Sequence, residues 1–346
     1  MSQVETPAWQ FERRIVMKIS ALLTSRYSLA FVSLICIAAI ADAALRNPPW
    51  MRPPEPIPTA KSRPAQPKVD VIEKDGFRYI SSNAIPDHLP GVFPNSGNPN
   101  TIREQQLQFR MTLHPTFADE LTHAVRYPMG VAINGVPFEP GTAEVWNFDR
   151  DSGWNYDAMS GKIHLGLDHS HAHVQPTGLY HYHGIPQGVV STRLQELDGK
   201  KDMILVGYAA DGFPIYTEYG YREPNNPKSG LKKLTPSWQL KEGNRPHTGR
   251  DGGPGGKYDG TFTQDFEFVE DAGDLDKCNG RHGVTPEYPD GIYYYVLTDT
   301  YPFIPRYLRG EPDPSFSERR GRSGRSARRP GAGFRPPPPR RPSSSR

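Results

Sequence analysis

The chain has 346 residues, and its 37 Pro and 33 Gly make up about a fifth of them, against ordinary usage of roughly an eighth. This argues against a coiled coil or helical bundle, and two Cys exclude a disulfide-based scaffold. The net charge of +3 is unevenly distributed, because residues 317–346 hold ten Arg and one Glu while residues 48–316 sum to −8. The acidic body is therefore not expected to bind nucleic acid.

The N-terminal segment has the features of a secretory signal peptide. Four basic residues precede a twelve-residue apolar run at 29–40, and small residues follow it. A membrane span needs about twenty apolar residues, so a retained anchor is the alternative. We expect residues 1–43 to be cleaved on export, with Met17 as an alternative start, which predicts an extracytoplasmic protein.

Two more segments lack the composition of a folded core. Residues 44–70 contain eight Pro and predict an extended linker. Residues 313–346 are rich in Arg, Pro and Ser and predict a disordered tail. The tail either binds an anionic envelope polymer or lipid or only keeps the chain soluble. Residues 71–312 remain as one folded domain.

The body predicts a mainly β fold, arranged as a single β-sandwich or barrel-like domain. Apolar and polar residues alternate over 107–113, and short β-branched or aromatic runs occupy 204–208 and 292–297. Asn-Gly and Asp-Gly dipeptides separate such runs and predict turns.

An internal repeat divides this body into two related β units. Four motifs recur in the same order: Asn-Gly-Val-Pro-Phe at 134–138 with Asp-Gly-Phe-Pro-Ile at 211–215, Leu-Asp at 167–168 with 275–276, Val-x-Pro at 174–176 with 284–286, and Gly-Leu-Tyr-His-Tyr at 178–182 with Gly-Ile-Tyr-Tyr-Tyr at 291–295. The spacing differs because the second copy contains a polar excursion at 222–260. We expect the two units to pack as one domain.

Histidines are concentrated in the first copy, where six of the eleven lie between residues 164 and 183. His171 and His173 alternate, as do His181 and His183, so on strands each pair would share a face. A three-residue turn at 176–178, with Gly178 left-handed, would set His173 opposite His181 and His171 opposite His183. A two-residue turn would instead set His173 against a tyrosine.

Imidazoles converging across a hairpin favour a copper or zinc site, because facing Cβ atoms lie about 5 Å apart and metal–nitrogen bonds are roughly 2.0–2.1 Å. The candidate ligands are His171, His173, His181 and His183. Asp168 is a candidate for orienting them through a hydrogen bond, with Tyr180 and Tyr182 alongside. Two alternatives stay open: a metal-free acid/base site in which Asp168 or Glu144 orients a histidine, and structural histidines bonded among the tyrosines.

The second copy lacks these imidazoles. Aligned on Val284 and Gly291, it carries Arg281, Gly283, Tyr294 and Val296 at the four positions. The histidines are thus not a requirement of the scaffold.

A second, weaker metal motif lies at 149–157, where oxygen side chains alternate as in a calcium loop. Its candidate ligands are Asp149, Asp151, Asn155 and Asp157. The stretch lacks the Gly placement and closing Glu of an EF-hand, so a plain turn is the alternative.

Residues 172–186, which contain Tyr180-His-Tyr-His183, resemble the YHYH-motif protein family. Stretches at 85–88, 97–100, 132–138, 207–216, 275–281 and 284–291 are similar to that family as well. The resemblance covers about residues 77–310 and implies an exported bacterial-type protein, but no settled activity. The signature positions are Tyr180, His181, Tyr182 and His183, with His173 and Asp168 before them. His169 and His171 look like additions in this chain, and Tyr294 stands where related chains can carry His.

Three functions are compatible with these residues. The leading hypothesis is an exported protein that binds copper or zinc through the hairpin histidines. The alternatives are a metal-dependent hydrolase or oxidase, and a non-catalytic module that binds the cell envelope.

Overall fold

The computed structural model describes residues 55–124, 128–198, 200, 202–247 and 252–317. The expected signal peptide at 1–43 lies outside the described residues, as do the first part of the expected linker and nearly all of the expected Arg-rich tail. Within the described ranges, no helix has the length and apolar character needed to span a bilayer.

Short strands dominate the described residues, in agreement with the predicted mainly β fold. The strands are β1 (Val69–Lys74), β2 (Phe77–Ser82), β3 (Leu107–Thr112), β4 (Thr122–His123), β5 (Gly130–Ala132), β6 (Pro137–Phe138), β7 (Ala172–Val174), β8 (Tyr180–Tyr182), β9 (Leu205–Ala209), β10 (Pro214–Tyr216), β11 (Tyr219–Tyr221), β12 (Leu231–Lys233), β13 (Trp238–Leu240), β14 (Phe266–Phe268), β15 (Gly280–Gly283), β16 (Ile292–Val296) and β17 (Tyr307–Leu308). The α-helix α1 (Gln187–Glu196) follows β8, and 3₁₀ turns lie at Trp146–Phe148, Pro227–Ser229, Thr263–Asp265 and Pro314–Phe316.

Eight strands form one open sheet in the order β15-β16-β10-β9-β5-β6-β8-β7. The order is symmetric about its centre, where β5 pairs antiparallel with β9. On one side β6 runs parallel to β8, and on the other β10 runs parallel to β16. Each outer pair, β7 with β8 and β15 with β16, is antiparallel. The predicted repeat is therefore confirmed as two four-stranded units joined edge to edge, in a sheet that is not closed into a barrel.

The three-stranded sheet β1-β2-β3 shares one hydrophobic core with this large sheet. Ile80, Phe109 and Met111, from β2 and β3, belong to the same buried cluster as Val131 and Val206 of the large sheet. Apolar side chains at every second position of β3 point inward, as the alternation over 107–113 predicts.

The strand pairing corrects the residue equivalences between the two copies. Ala172 faces Tyr182 in the first copy, and Gly280 faces Tyr295 in the second. His173 therefore corresponds to Arg281, and His171 to Asn279 rather than Arg281. The alignment on Val284 was wrong by two residues because the second turn, 284–291, is longer than the first, 176–178. The equivalences of His181 with Tyr294 and of His183 with Val296 are confirmed.

Candidate metal site

The β7–β8 hairpin positions the histidines. Its register pairs His173 with His181 and Val174 with Tyr180. Gly178 adopts φ +90°, and its amide donates to the Gln175 carbonyl at 2.8 Å, which closes a turn of three residues. The predicted turn and the predicted facing of His173 and His181 are confirmed.

Three imidazoles meet on one side of this hairpin. The Nε2 atom of His183 lies 3.1 Å from Nε2 of His173 and 3.0 Å from Nε2 of His181. All three pairs of rings have centroids 4.7 Å apart. Among the described residues, this triad is the only group of three or more His, Cys, Asp or Glu whose ligand atoms all lie within 4.8 Å of one another. Tetrahedral coordination with bonds of 2.0–2.1 Å requires nitrogens about 3.3 Å apart, so the spacing suits a shared metal ion.

Backbone carbonyls fix the tautomers of two of these rings. Nδ1 of His173 lies 2.9 Å from the Leu165 carbonyl, and Nδ1 of His181 lies 3.3 Å from the Leu179 carbonyl. A carbonyl only accepts, so each Nδ1 carries the hydrogen and each Nε2 presents its lone pair to the centre of the triad. The lone pairs of His173 Nε2 and His181 Nε2 therefore both point toward His183 Nε2. Either a hydrogen on His183 Nε2 or a bound cation is needed to satisfy them.

Burial keeps these rings neutral. It lowers the pKa of His181 to about 4 and, together with the neighbouring His181, lowers the pKa of His173 to about 3. The pKa of His183 is lowered well below its usual value by burial first and then by His173, His181 and the Arg306 cation. Neutral imidazole is the form that binds metal ions, so at neutral pH protons do not compete for the site.

The structure places His171 apart from the triad. The predicted backbone pairing of His171 with His183 is present, since the His171 carbonyl accepts a hydrogen bond from the His183 amide at 2.7 Å. Its backbone, however, is left-handed at φ +56°, which breaks the alternation of side chains on an extended strand. The ring turns instead to the Ile185 carbonyl, 2.9 Å from Nδ1.

Asp168, Tyr180 and Tyr182 lie on the opposite face of the hairpin. The Tyr180 hydroxyl donates to Asp168 at 2.6 Å, and the backbone amides of Gly91 and Ser170 donate hydrogen bonds to the same carboxylate. Tyr182 lies 2.9 Å from His88 Nε2. Burial raises the pKa of both tyrosines well above the usual value. Carbonyls, and not Asp168, therefore orient the rings of His173 and His181.

The alternative acid/base residue, Glu144, lines the cleft onto which the triad opens. Its carboxyl is largely buried, which raises its pKa. Glu144 is not in the group of described residues whose ligand atoms converge with those of the three histidines, so the structure does not bring it into the triad.

Glu139 is the residue that sequence reasoning missed. It follows β6, and its amide donates at 2.9 Å to the carbonyl of Tyr182, the residue between His181 and His183. Its Oε2 lies 3.9 Å from His181 Nε2 and accepts a hydrogen bond of 2.7 Å from the Gln175 side chain. The motif at 134–138 ends one residue earlier, but only the parallel pairing of β6 with β8 brings this carboxylate to the triad.

The expected calcium loop is not assembled. Asp157 is buried and forms an ion pair of 2.5 Å with Arg306, which lies 149 residues further along the chain. Asp149 instead accepts from the Asp151 amide of its own turn at 2.9 Å. The alternating oxygens of 149–157 form a turn because the buried arginine takes the carboxylate that would close a calcium shell.

Comparison with known proteins gives one match. A family model described as YHYH protein matches residues 108–310, a range that includes the entire eight-stranded sheet and the triad. Searches of curated proteins and of solved structures gave no match.

Proposed function

We propose, from the premise that this chain belongs to the YHYH protein family, that it is an extracytoplasmic metal-binding protein whose His173, His181 and His183 hold copper or zinc. The observation that carries the proposal is the meeting of three imidazoles, with Nε2 of His173 and of His181 at 3.1 and 3.0 Å from Nε2 of His183 and the first two rings oriented by backbone carbonyls. Oriented, neutral nitrogens are the ligands that both metals accept.

The donor chemistry favours a divalent ion. Cu(I) is selected by thiolate or thioether ligands. Cys278 is buried in the hydrophobic core, where burial raises the pKa of its thiol to about 12, so it is not a thiolate at neutral pH. Imidazole nitrogen suits Zn(II) and Cu(II) equally, and the affinity order favours copper where both are available. The signal peptide predicted at 1–43 would direct the chain to an oxidising compartment, where copper is divalent.

The test is a metal titration of the full-length mature chain, prepared without a His tag. We expect about one ion of zinc or copper per chain, and we expect affinity to fall by orders of magnitude in the double variant His181→Ala, His183→Ala. The matched control is His171→Ala, a neighbouring histidine outside the triad, which should bind like the parent. Absence of stoichiometric metal, or equal affinity in the double variant, would refute the proposal.

The cleft favours a second function, a metal-dependent hydrolase or oxidase. His173, His181 and His183 all line its wall, so a bound ion would be reachable by substrate as well as by water. With the three histidines as its only protein ligands, a tetrahedral ion would keep one position open, as catalytic metal sites do and structural sites do not. Assay of the metal-loaded chain with ester, phosphoester and phenol substrates separates catalysis from binding alone, and background rates throughout would count against an enzyme.

A further inference from the structure

We propose that Glu139 is the fourth ligand of the site and that Gln175 is the positioning residue that holds it there. This inference rests on the metal-binding function proposed above and deepens it by assigning a three-nitrogen, one-oxygen donor set. This donor set favours a divalent ion such as Zn(II) over Cu(I), since a carboxylate oxygen is a poor ligand for the soft Cu(I) ion.

Strand pairing places the carboxylate on the histidine face. Phe138 is in register with Tyr182, and their rings lie 5.7 Å apart on the tyrosine face. The next residues along these parallel strands, Glu139 and His183, therefore both point to the other face, where the triad lies. On β7 the same alternation puts Gln175 on the face of His173.

Coordination by Glu139 requires a movement of its side chain. In a tetrahedral site the ligating nitrogen and oxygen atoms are separated by about 3.4 Å. The observed separation of Glu139 Oε2 from His181 Nε2 is 3.9 Å. Glu139 is not in the group of described residues whose ligand atoms all lie within 4.8 Å of one another, so coordination also requires its carboxylate to move toward His173 or His183 by rotation about its side-chain bonds. The amide of Gln175, at 2.7 Å, already directs that oxygen.

Charge balance supplies a reason for the carboxylate. Three neutral imidazoles leave the full double charge of the ion in a site where His181 and His183 are only 2% and 3% exposed. Burying an uncompensated charge is expensive, and one carboxylate halves the net charge.

The second β unit offers an internal comparison. The equivalent of Glu139 there is Tyr216, since Tyr216 is in register with Val296 as Glu139 is with His183. Its hydroxyl donates to the Glu287 carboxylate at 2.7 Å and lies 2.8 Å from the Thr285 hydroxyl. The three histidine positions and the glutamate position are thus all replaced in the unit that lacks the triad. This joint replacement indicates that the four residues serve one purpose.

The experiment compares Glu139→Gln with Glu144→Gln, a matched carboxylate of the same cleft. Zn(II) affinity and the visible absorption spectrum of the Co(II)-loaded full-length chain are measured, with near-ultraviolet circular dichroism to confirm folding. We expect Glu139→Gln to lose at least about tenfold in affinity and to change the Co(II) spectrum, while Glu144→Gln retains both. Glu139→Asp should recover part of the loss.

Gln175→Ala tests the positioning role. We expect it to weaken Zn(II) binding in the parent chain but to have no further effect in a chain that already carries Glu139→Gln, because the amide acts through the carboxylate. Parent-like affinity and an unchanged Co(II) spectrum in Glu139→Gln, alongside loss of binding in the His181 and His183 variants, would overturn only the fourth-ligand inference. Absence of binding by the parent chain would overturn the metal site as well.

Discussion

Individual hydrogen bonds decide what each histidine of the hairpin can do. His173 and His171 are two residues apart, yet the first gives its Nδ1 hydrogen to Leu165 and frees Nε2 for the triad, while the second turns to Ile185. Both partners are backbone carbonyls, so mutation of neighbouring side chains does not remove them. The orientation of the site is consequently a property of the local backbone path.

The buried pair of Arg306 and Asp157 makes a prediction about stability. Arg306 is 5% exposed and Asp157 is 1% exposed, so Arg306→Met leaves a carboxylate buried without its countercharge. We expect the free energy of unfolding to fall by about 3–5 kcal/mol in urea denaturation. The control is Arg193→Met, which breaks the partly exposed pair of Arg193 with Glu196 and should cost less than about 1 kcal/mol. Equal losses in the two variants would contradict this account.

Asp211 makes a prediction about pH. Burial raises the pKa of its carboxyl to about 6, although Tyr295 and Gly310 donate hydrogen bonds to it. The folded state therefore binds this proton more tightly than the unfolded state, whose pKa is about 3.9. The stabilising contribution is complete below about pH 4 and is lost as the pH rises through 6, by up to roughly 3 kcal/mol.

Asp211→Asn removes this titration and places the residue of the first copy, Asn134, at the equivalent position. We expect the difference in unfolding free energy between parent and variant to change between pH 4 and pH 7, with the parent losing stability as the pH rises. Urea denaturation of the metal-free chains at several pH values measures it. A constant difference across that range would show that Asp211 does not titrate as proposed.

At the scale of elements, the hairpin joins two chemistries on its two faces. Strand alternation puts His181 and His183 toward the cleft and Tyr180 and Tyr182 toward Asp168 and His88. Buried hydrogen bonds of the two tyrosines hold the strand in place. The positions of His181 and His183 therefore do not depend on hydrogen bonds made by the histidines themselves. Such support is what a preorganised metal site requires.

The turn of this hairpin is testable through Gly178. Its φ of +90° disfavours any side chain, and a Cβ would lie 2.6 Å from Cβ of Arg103. We expect Gly178→Ala to lower the unfolding free energy by about 1–3 kcal/mol and to weaken metal binding, because the turn sets the register. Gly230→Ala is the control for backbone strain alone, since its φ is +76° and nothing lies within 4 Å of its Cβ position, so it should lose stability but keep parent-like metal affinity. A comparable loss of metal affinity in the control, or parent-like metal binding in Gly178→Ala, would contradict the role given to the turn.

At the scale of the whole molecule, the sheet repeats one unit twice with different chemistry. Asp276 accepts from the Tyr293 hydroxyl as Asp168 does from Tyr180, and Asn279 repeats the left-handed backbone of His171 at φ +54°. In place of the triad, Arg281 donates to Tyr294 at 2.6 Å and to the Tyr221 carbonyl. The second unit thus keeps the scaffold and fills the site with a hydrogen-bonded pair.

This duplication predicts that a second metal site can be built. We expect the variant Arg281→His, Tyr294→His, Val296→His, combined with Tyr216→Glu, to raise the zinc content from one to about two ions per chain, at some cost in stability. Metal analysis after gel filtration measures the content. The same four changes in a chain that lacks His181 and His183 should give one ion. A folded variant that still binds a single ion would show that matching strand positions are insufficient.

Features that depend on residues close together in the chain could be predicted from the sequence alone. The β character follows from alternation, the hairpin register from Gly178 and its turn, and the paired units from motifs repeated in order. The tertiary structure alone decided which groups from distant segments meet. Glu139 reaches His181 only because β6 runs parallel to β8, and Asp157 is lost to calcium only because Arg306 folds against it. Local sequence patterns reflect the conformational preferences of the backbone. Contacts between distant segments depend on the strand order of the whole sheet, which no short stretch of the chain specifies.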